Sequence, residues 1–258
     1  MRRSYAISVI ALVLVAINLF VVGCGCNKEG GQIDVNNPGN TAQPSGTEIP
    51  IHELDGHDDA TPAPLLSYEE YRALNSDVIG WIKIENTKVN YPLVKCPDGD
   101  ENKYYLNHSV ERNNSKSGAI FLDYRCDVES KHKILFGHNM RSGTMFADVN
   151  NYSNASFYNS HRTFTVKFGD TNYTYKVFAA YDTHVNDARY MKVDFKSDAG
   201  FAGFMNDLAK LSMYPVDTKV TESDEVITLS TCNHSNYQNG RFVVCLLYTS
   251  PSPRDRQK

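Results

Sequence analysis

The chain has 258 residues, enough for one substantial domain with appendages. Its 26 basic against 30 acidic side chains give a net charge of −4, and with no basic block they argue against a nucleic-acid partner. Sixteen tyrosines and twelve phenylalanines suit a β-rich core.

Arg2 and Arg3 precede an uncharged, mostly apolar segment from Ser4 to Gly23. A helix of that length spans about 30 Å, the thickness of a bilayer's hydrocarbon core. The arginines would hold the start of the chain on the cytoplasmic side. Residues 1–26 therefore read as a membrane anchor, a cleaved secretory signal, or a lipoprotein signal. In the last case Val21-Val22-Gly23-Cys24 is a relaxed lipobox and Cys24 is lipidated. All three export the rest of the chain, and the anchor and lipoprotein readings hold it at the extracellular face of the cell membrane. Residues 27–64 are rich in Gly, Pro, Asn, Asp and Thr and carry few large apolar side chains. They cannot bury enough surface to offset the entropy of ordering, and read as a flexible extracellular linker.

The folded domain, residues 65–247, opens with Ser67-Tyr68-Glu69-Glu70, where Ser67 and Glu70 make a capping box for a short helix ending near Asn75. Strand signals follow. Val78 to Ile84 and Val89 to Val94 flank a tight turn at Asn86-Thr87. Ala119 to Tyr124 and Lys133 to Phe136 are two more. Thr163 to Phe168 and Tyr173 to Tyr181 flank Gly169-Asp170, a hairpin. Val226 to Thr231 and Arg241 to Leu246 complete the set. Between Tyr181 and Ile227, the residues Phe201, Phe204, Met205, Leu208 and Leu211 fall on one face of a helix, capped by Ser197 or Asp198. This stripe is core packing. About eight short strands with few helices point to a mainly β, closed barrel.

The six cysteines, Cys24, Cys26, Cys96, Cys126, Cys232 and Cys245, match no zinc spacing, and no metal or cofactor is expected. Export permits disulfides, and Cys96 with Cys126 is an arithmetically possible pair; two free thiols are the expectation.

Cys232 ends the apolar run of Val226, Ile227 and Leu229, and Arg241 opens the next one. On neighbouring strands, thiol and guanidinium would lie side by side at the rim of a sheet. A thiol beside a fixed positive charge ionises more easily and becomes a nucleophile. A histidine to move protons would complete an acyl-transfer site. His138 follows the run Ile134 to Phe136 and so also falls at a strand end. Of the others, His52 and His57 lie in the linker. His108, His132, His161 and His184 fall in turns or polar stretches without an adjoining motif. His234, two residues from Cys232, is the rival.

In this order and setting, His138, Cys232 and Arg241 resemble the catalytic trio of the sortases, bacterial cysteine transpeptidases that attach proteins to the cell wall. The likeness extends to Trp81-Ile82-Lys83-Ile84, Tyr91-Pro92-Leu93-Val94, Tyr104-Tyr105-Leu106, Ile120-Phe121-Leu122-Asp123-Tyr124-Arg125, Gly137-His138-Asn139-Met140 and Gly143-Thr144-Met145-Phe146-Ala147-Asp148. All of these read like class B, over about Tyr68 to Val244. The resemblance implies a sortase-type barrel with peripheral helices, one of them between the sixth and seventh strands. It implies that Cys232 attacks a backbone carbonyl in a sorting motif of the Asn-Pro-x-Thr or related type, near the end of a secreted protein, and that the bond cut follows the threonine. His138 would act as acid and base, Arg241 would counter the oxyanion, and a peptidoglycan stem or cross-bridge amine would accept the acyl group. By the same resemblance, Asn102, Leu106, Tyr190, Met191 and Ser230 line the substrate groove.

The end of the chain departs from the class B pattern. Residues 245–258, from Cys245 through Pro251-Ser252-Pro253-Arg254, resemble a translated sequencing-adapter read-through, so a non-native tail and a clipped last strand are expected. Three other readings compete. An exported papain-like cysteine peptidase uses the same thiol and imidazole, but its cysteine precedes its histidine and opens a helix. A non-catalytic lipoprotein binding module would fit the lipobox and linker. A pilin-polymerising sortase would use a lysine acceptor.

Overall fold

The computed structural model describes residues 66–97, 99–233 and 240–249. The segments read as anchor and linker, and the rival His234, lie outside the described residues.

The capping box forms as the spacing predicts. Ser67 Oγ accepts the Glu70 N–H at 3.2 Å, and Glu70 Oε2 accepts the Ser67 N–H at 2.7 Å. Helix α1 (Tyr68–Leu74) starts there and is capped at its end by Asn75. Eight strands follow: β1 (Val78–Lys83), β2 (Asn90–Lys95), β3 (Ile120–Leu122), β4 (His132–Phe136), β5 (Thr163–Phe168), β6 (Thr171–His184), β7 (Val226–Asn233) and β8 (Gly240–Tyr248). They close into a barrel in the order β1-β2-β3-β4-β7-β8-β6-β5. Closure leaves no unpaired sheet edge. The β2–β3 and β4–β7 pairings are parallel and the rest antiparallel. The hairpin between β5 and β6 turns at Gly169, whose φ of 53° is the left-handed conformation that glycine adopts without strain.

Side chains alternate across the barrel wall. One face of every strand, including Ile82, Leu93, Leu122, Leu135, Val166, Val177, Leu229 and Val244, fills the interior. Two further layers cover the outside. Helix α3 (Asp198–Ala209), capped by Ser197 Oγ on the Gly200 N–H at 3.1 Å, packs Phe201, Met205 and Leu208 against Tyr181, Val226, Val243 and Cys245. On the other side, α1 and Tyr105 cover Val78, Val94 and Phe121. Each fully buried side chain of this kind contributes roughly 1.5–3 kcal/mol.

Several features differ from expectation. Two 3₁₀ segments (Tyr104–Leu106 and Ala147–Ser153) and a short helix α2 (Ala155–Ser160) carry no apolar stripe long enough to read. A local device, Asn154 Oδ1 accepting the N–H of Ser156 and Phe157, starts α2. His132 and His184 lie in strands, not turns. His132 is fully buried and donates from Nδ1 to the Lys192 carbonyl at 2.6 Å, with Nε2 facing the Thr228 hydroxyl at 2.8 Å. Burial holds it down to about 4, so it stays neutral. Strand β8 takes in the first residues of the segment read as a non-native tail. It continues past Val244 through Tyr248, pairing Cys245 with Ala179 and Thr228, and Leu246 with Val177 and Ile227. The alternation suits both faces there: Leu246 points inward, and Cys245 and Leu247 join the α3 layer.

Barrel closure depends on the β1–β5 seam. A Cβ at Gly80 would stand 2.0 Å from the Lys167 carbonyl oxygen. Gly80→Ala is expected to cost about 2 kcal/mol or more. Thermal unfolding should show a Tm lowered by about 5 °C or more; an unchanged Tm would mean that the seam gives way freely.

Candidate active site

Antiparallel pairing sets Cys232 directly opposite Arg241. Arg241 Nη1 donates to Cys232 Sγ at 3.1 Å and to the Gly240 carbonyl at 3.3 Å. The sulfur therefore meets a fixed positive charge, the setting that favours thiolate. Cys232 is buried but not sealed, at 8% exposure.

The histidine arrives from the other side of β7. Strand β4 runs parallel to it with Phe136 beside Ser230. Beyond the strand end the contact continues: the Gly137 N–H donates to the Ser230 carbonyl at 3.4 Å, and Thr231 Oγ1 donates to the Gly137 carbonyl at 2.8 Å. His138 follows in the segment tied to the end of β7 by these contacts and by Asn139, whose Nδ2 donates to the Cys232 carbonyl. Gly137 is needed for that path, since a Cβ there would stand 2.4 Å from Ile120 Cδ1 and 2.7 Å from the Phe146 ring. His138 Nε2 lies 2.8 Å from the Leu106 carbonyl oxygen. A carbonyl only accepts, so Nε2 carries a hydrogen and Nδ1 is the nitrogen whose protonation can change.

Two asparagines that sequence reasoning missed hold the nucleophile's backbone. Asn139 Nδ2 donates to the Cys232 carbonyl at 2.9 Å, and Asn150 Nδ2 reaches the same oxygen at 3.4 Å. Asn139 follows His138 directly, so it ties the histidine loop to the cysteine strand. Its presence in the Gly137-His138-Asn139-Met140 motif was the available signal. Asn150, in the unread 3₁₀ segment, gave none.

The structure gathers some of the groove candidates around the trio. Ser230, two residues before Cys232, shares its face of β7. Tyr190 is buried in the α3 layer with its phenol beside Arg241 and Ser230. Burial raises that phenol above its ordinary value, against the lowering pull of the guanidinium. The Ser230 hydroxyl lies near the phenol without forming a regular hydrogen bond. Met191 is half-buried against the same layer. Leu106 reaches the site through its carbonyl, on the opposite wall. Asn102 stands at the start of that loop, where its Oδ1 accepts the Tyr124 N–H at 2.8 Å and its own φ is 68°.

The other described cysteines have a different character. Cys96, Cys126 and Cys245 are free thiols. Burial pushes the Cys96 thiol up to about 12, Cys126 to about 11 and Cys245 to about 12, so these three stay protonated and inert.

A thiol against a guanidinium, with an imidazole from the adjacent strand end, can form and break a thioester. Cys232 lies on a strand and follows His138 in the chain, which does not favour the papain-like reading. A family model described as Sortase domain matches residues 82–246. Sortase B of Listeria monocytogenes is 36% identical over 178 residues, 68% of this chain and 71% of that protein. Sortase B of Staphylococcus aureus is 34% identical over 181 residues, 69% of this chain and 72% of that protein. Among solved structures, sortase B of Clostridium perfringens superposes with a TM-score of 0.66 at 27% identity, covering 71% of this chain and 100% of that one. A Staphylococcus aureus sortase B–substrate complex gives 0.64 at 32% identity, covering 72% of this chain and 85% of that one. The eight-stranded barrel, the helix between its sixth and seventh strands and these matches agree, and the chain belongs to the sortase family, within it to the class B cysteine transpeptidases.

Proposed function

We propose that Cys232, His138 and Arg241 perform a two-step acyl transfer on secreted proteins that carry a C-terminal sorting motif. The observation that carries this reading is the 3.1 Å contact between Arg241 Nη1 and Cys232 Sγ. The thiolate attacks the backbone carbonyl carbon of the threonine in an Asn-Pro-x-Thr type motif. The carbonyl oxygen becomes an oxyanion, and the guanidinium donates to it. The C–N bond then breaks, and the leaving amine takes a proton from the His138 imidazolium at Nδ1. A thioester remains on Cys232. An acceptor amine, proposed to belong to a peptidoglycan stem or cross-bridge, attacks the thioester carbonyl and gives its proton to the now neutral Nδ1. The thiolate departs, which restores the starting state. Two modest barriers replace one large one. Tyr190, Met191 and Ser230 on one wall, and Leu106 with Asn102 on the other, are proposed to hold the motif. Residues 1–26 are proposed to keep the enzyme at the outer face of the membrane, where both partners pass.

The test is incubation of the purified protein with a peptide bearing the motif and an added peptide amine, with products read by mass. The expected product joins the amine to the fragment ending in threonine. Hydrolysis alone would refute transfer, and cleavage elsewhere would refute the motif.

A further inference from the structure

The Leu106 carbonyl belongs to a long connection between β2 and β3 that has one 3₁₀ turn, Tyr104–Leu106, as its regular structure among the described residues. A loop carbonyl needs support to hold a catalytic ring, and the support is a buried polar network behind the same turn. Tyr105 is fully buried. Its hydroxyl donates to Asp77 Oδ2 at 2.7 Å and accepts from Asn75 Nδ2 at 2.7 Å. Asn75 gives its second N–H to the Val110 carbonyl at 2.8 Å, while its Oδ1 accepts from Arg112 Nε at 3.1 Å and from the Asp77 N–H at 2.9 Å. Arg112 also pairs with Asp77 at 2.9 Å. The Tyr105 hydroxyl and both ends of the Asn75 amide are fully used, the condition under which a buried network rigidifies its surroundings. The turn is gripped from its other side as well. The Ala119 N–H donates to the Tyr105 carbonyl at 3.0 Å. A Cβ at Gly118 would stand 2.4 Å from that oxygen and 2.8 Å from the Leu106 oxygen. Gly118 has a φ of 59°, so both space and backbone call for glycine.

We propose that Tyr105 is a positioning residue for His138: its hydroxyl, locked by Asn75, Asp77 and Arg112, fixes the turn whose next carbonyl keeps hydrogen on His138 Nε2. This rests on the reading of His138 as the acid and base. An imidazole held at Nε2 offers Nδ1 to the reaction in every turnover. One that has lost the carbonyl exchanges tautomers and turns, and it presents the wrong atom for part of the time.

The test is Tyr105→Phe in the full chain. It deletes one oxygen and keeps the buried ring. Expected are a fall in kcat of about tenfold or more with KM nearly unchanged, since ring placement affects the step and not the binding. Long-range ¹H–¹⁵N spectra should also change, with the His138 signal moving from one Nε2–H tautomer to a mixture. The signal is identified by its loss in His138→Gln. An unchanged tautomer or a rise in KM alone would overturn the proposal. If Tyr105→Phe fails to fold, Arg112→Gln replaces it, because that side chain is 47% exposed. A tautomer mixture there supports the proposal and an unchanged signal overturns it. Should His138→Ala retain transfer activity, the acid–base reading fails while the tautomer result still stands on its own.

Discussion

Cys232→Ala should abolish transfer and leave the barrel standing. No other described cysteine can replace this thiol: Cys96, Cys126 and Cys245 are held protonated by burial at about 12, 11 and 12. Removal of a covalent nucleophile typically lowers turnover by roughly 10⁴-fold or more, to what binding and oxyanion stabilisation sustain alone. The backbone of residue 232 keeps its ladder to Arg241 and its carbonyl bond to Asn139, so the Tm should stay within about 3 °C. The check is intact-protein mass after exposure to a sorting-motif peptide. Wild type should gain the acyl fragment and the variant should not. An adduct that persisted in the variant would place the nucleophile elsewhere.

Arg241→Lys is the second large effect. Lysine keeps the charge but replaces a planar fork with a single flexible ammonium. In the resting site one nitrogen of the fork already serves both the sulfur and the Gly240 carbonyl. The planar group can donate to an oxyanion without releasing those contacts, and an ammonium on a shorter reach cannot. Loss of an oxyanion donor costs on the order of 3 kcal/mol of transition-state stabilisation, roughly a hundredfold or more in kcat. Single-turnover acylation by the motif peptide measures it. A rate within about threefold of wild type would make Arg241 a structural residue.

Much of this was legible because the barrel is built from simple alternation. Ile227 and Leu229 fill the interior while Val226 joins the α3 layer, so by alternation Ser230 and Cys232 face outward with Val226. The α3 stripe is equally plain because it sits on one layer only. Three kinds of information were not legible. Segments whose start depends on a single capping side chain, such as Asn154, show no period. Backbone atoms leave no mark in a sequence, so the Leu106 carbonyl appears there as an apolar side chain in a groove motif. Pairing between distant segments is also hidden: nothing local marks Asn150 as holding Cys232, or His132 as a core residue bound to Lys192 and Thr228.

The strand order has a consequence for a chain that emerges amino end first. Strands β7 and β8 insert between β4 and β6, which precede them in the sequence, and β4 meets β7 across a long stretch of polypeptide. Pairings of that kind form late, since a large loop must close before any contact rewards it. The sulfur and the guanidinium come from different strands, so the site exists only where β7 and β8 are paired.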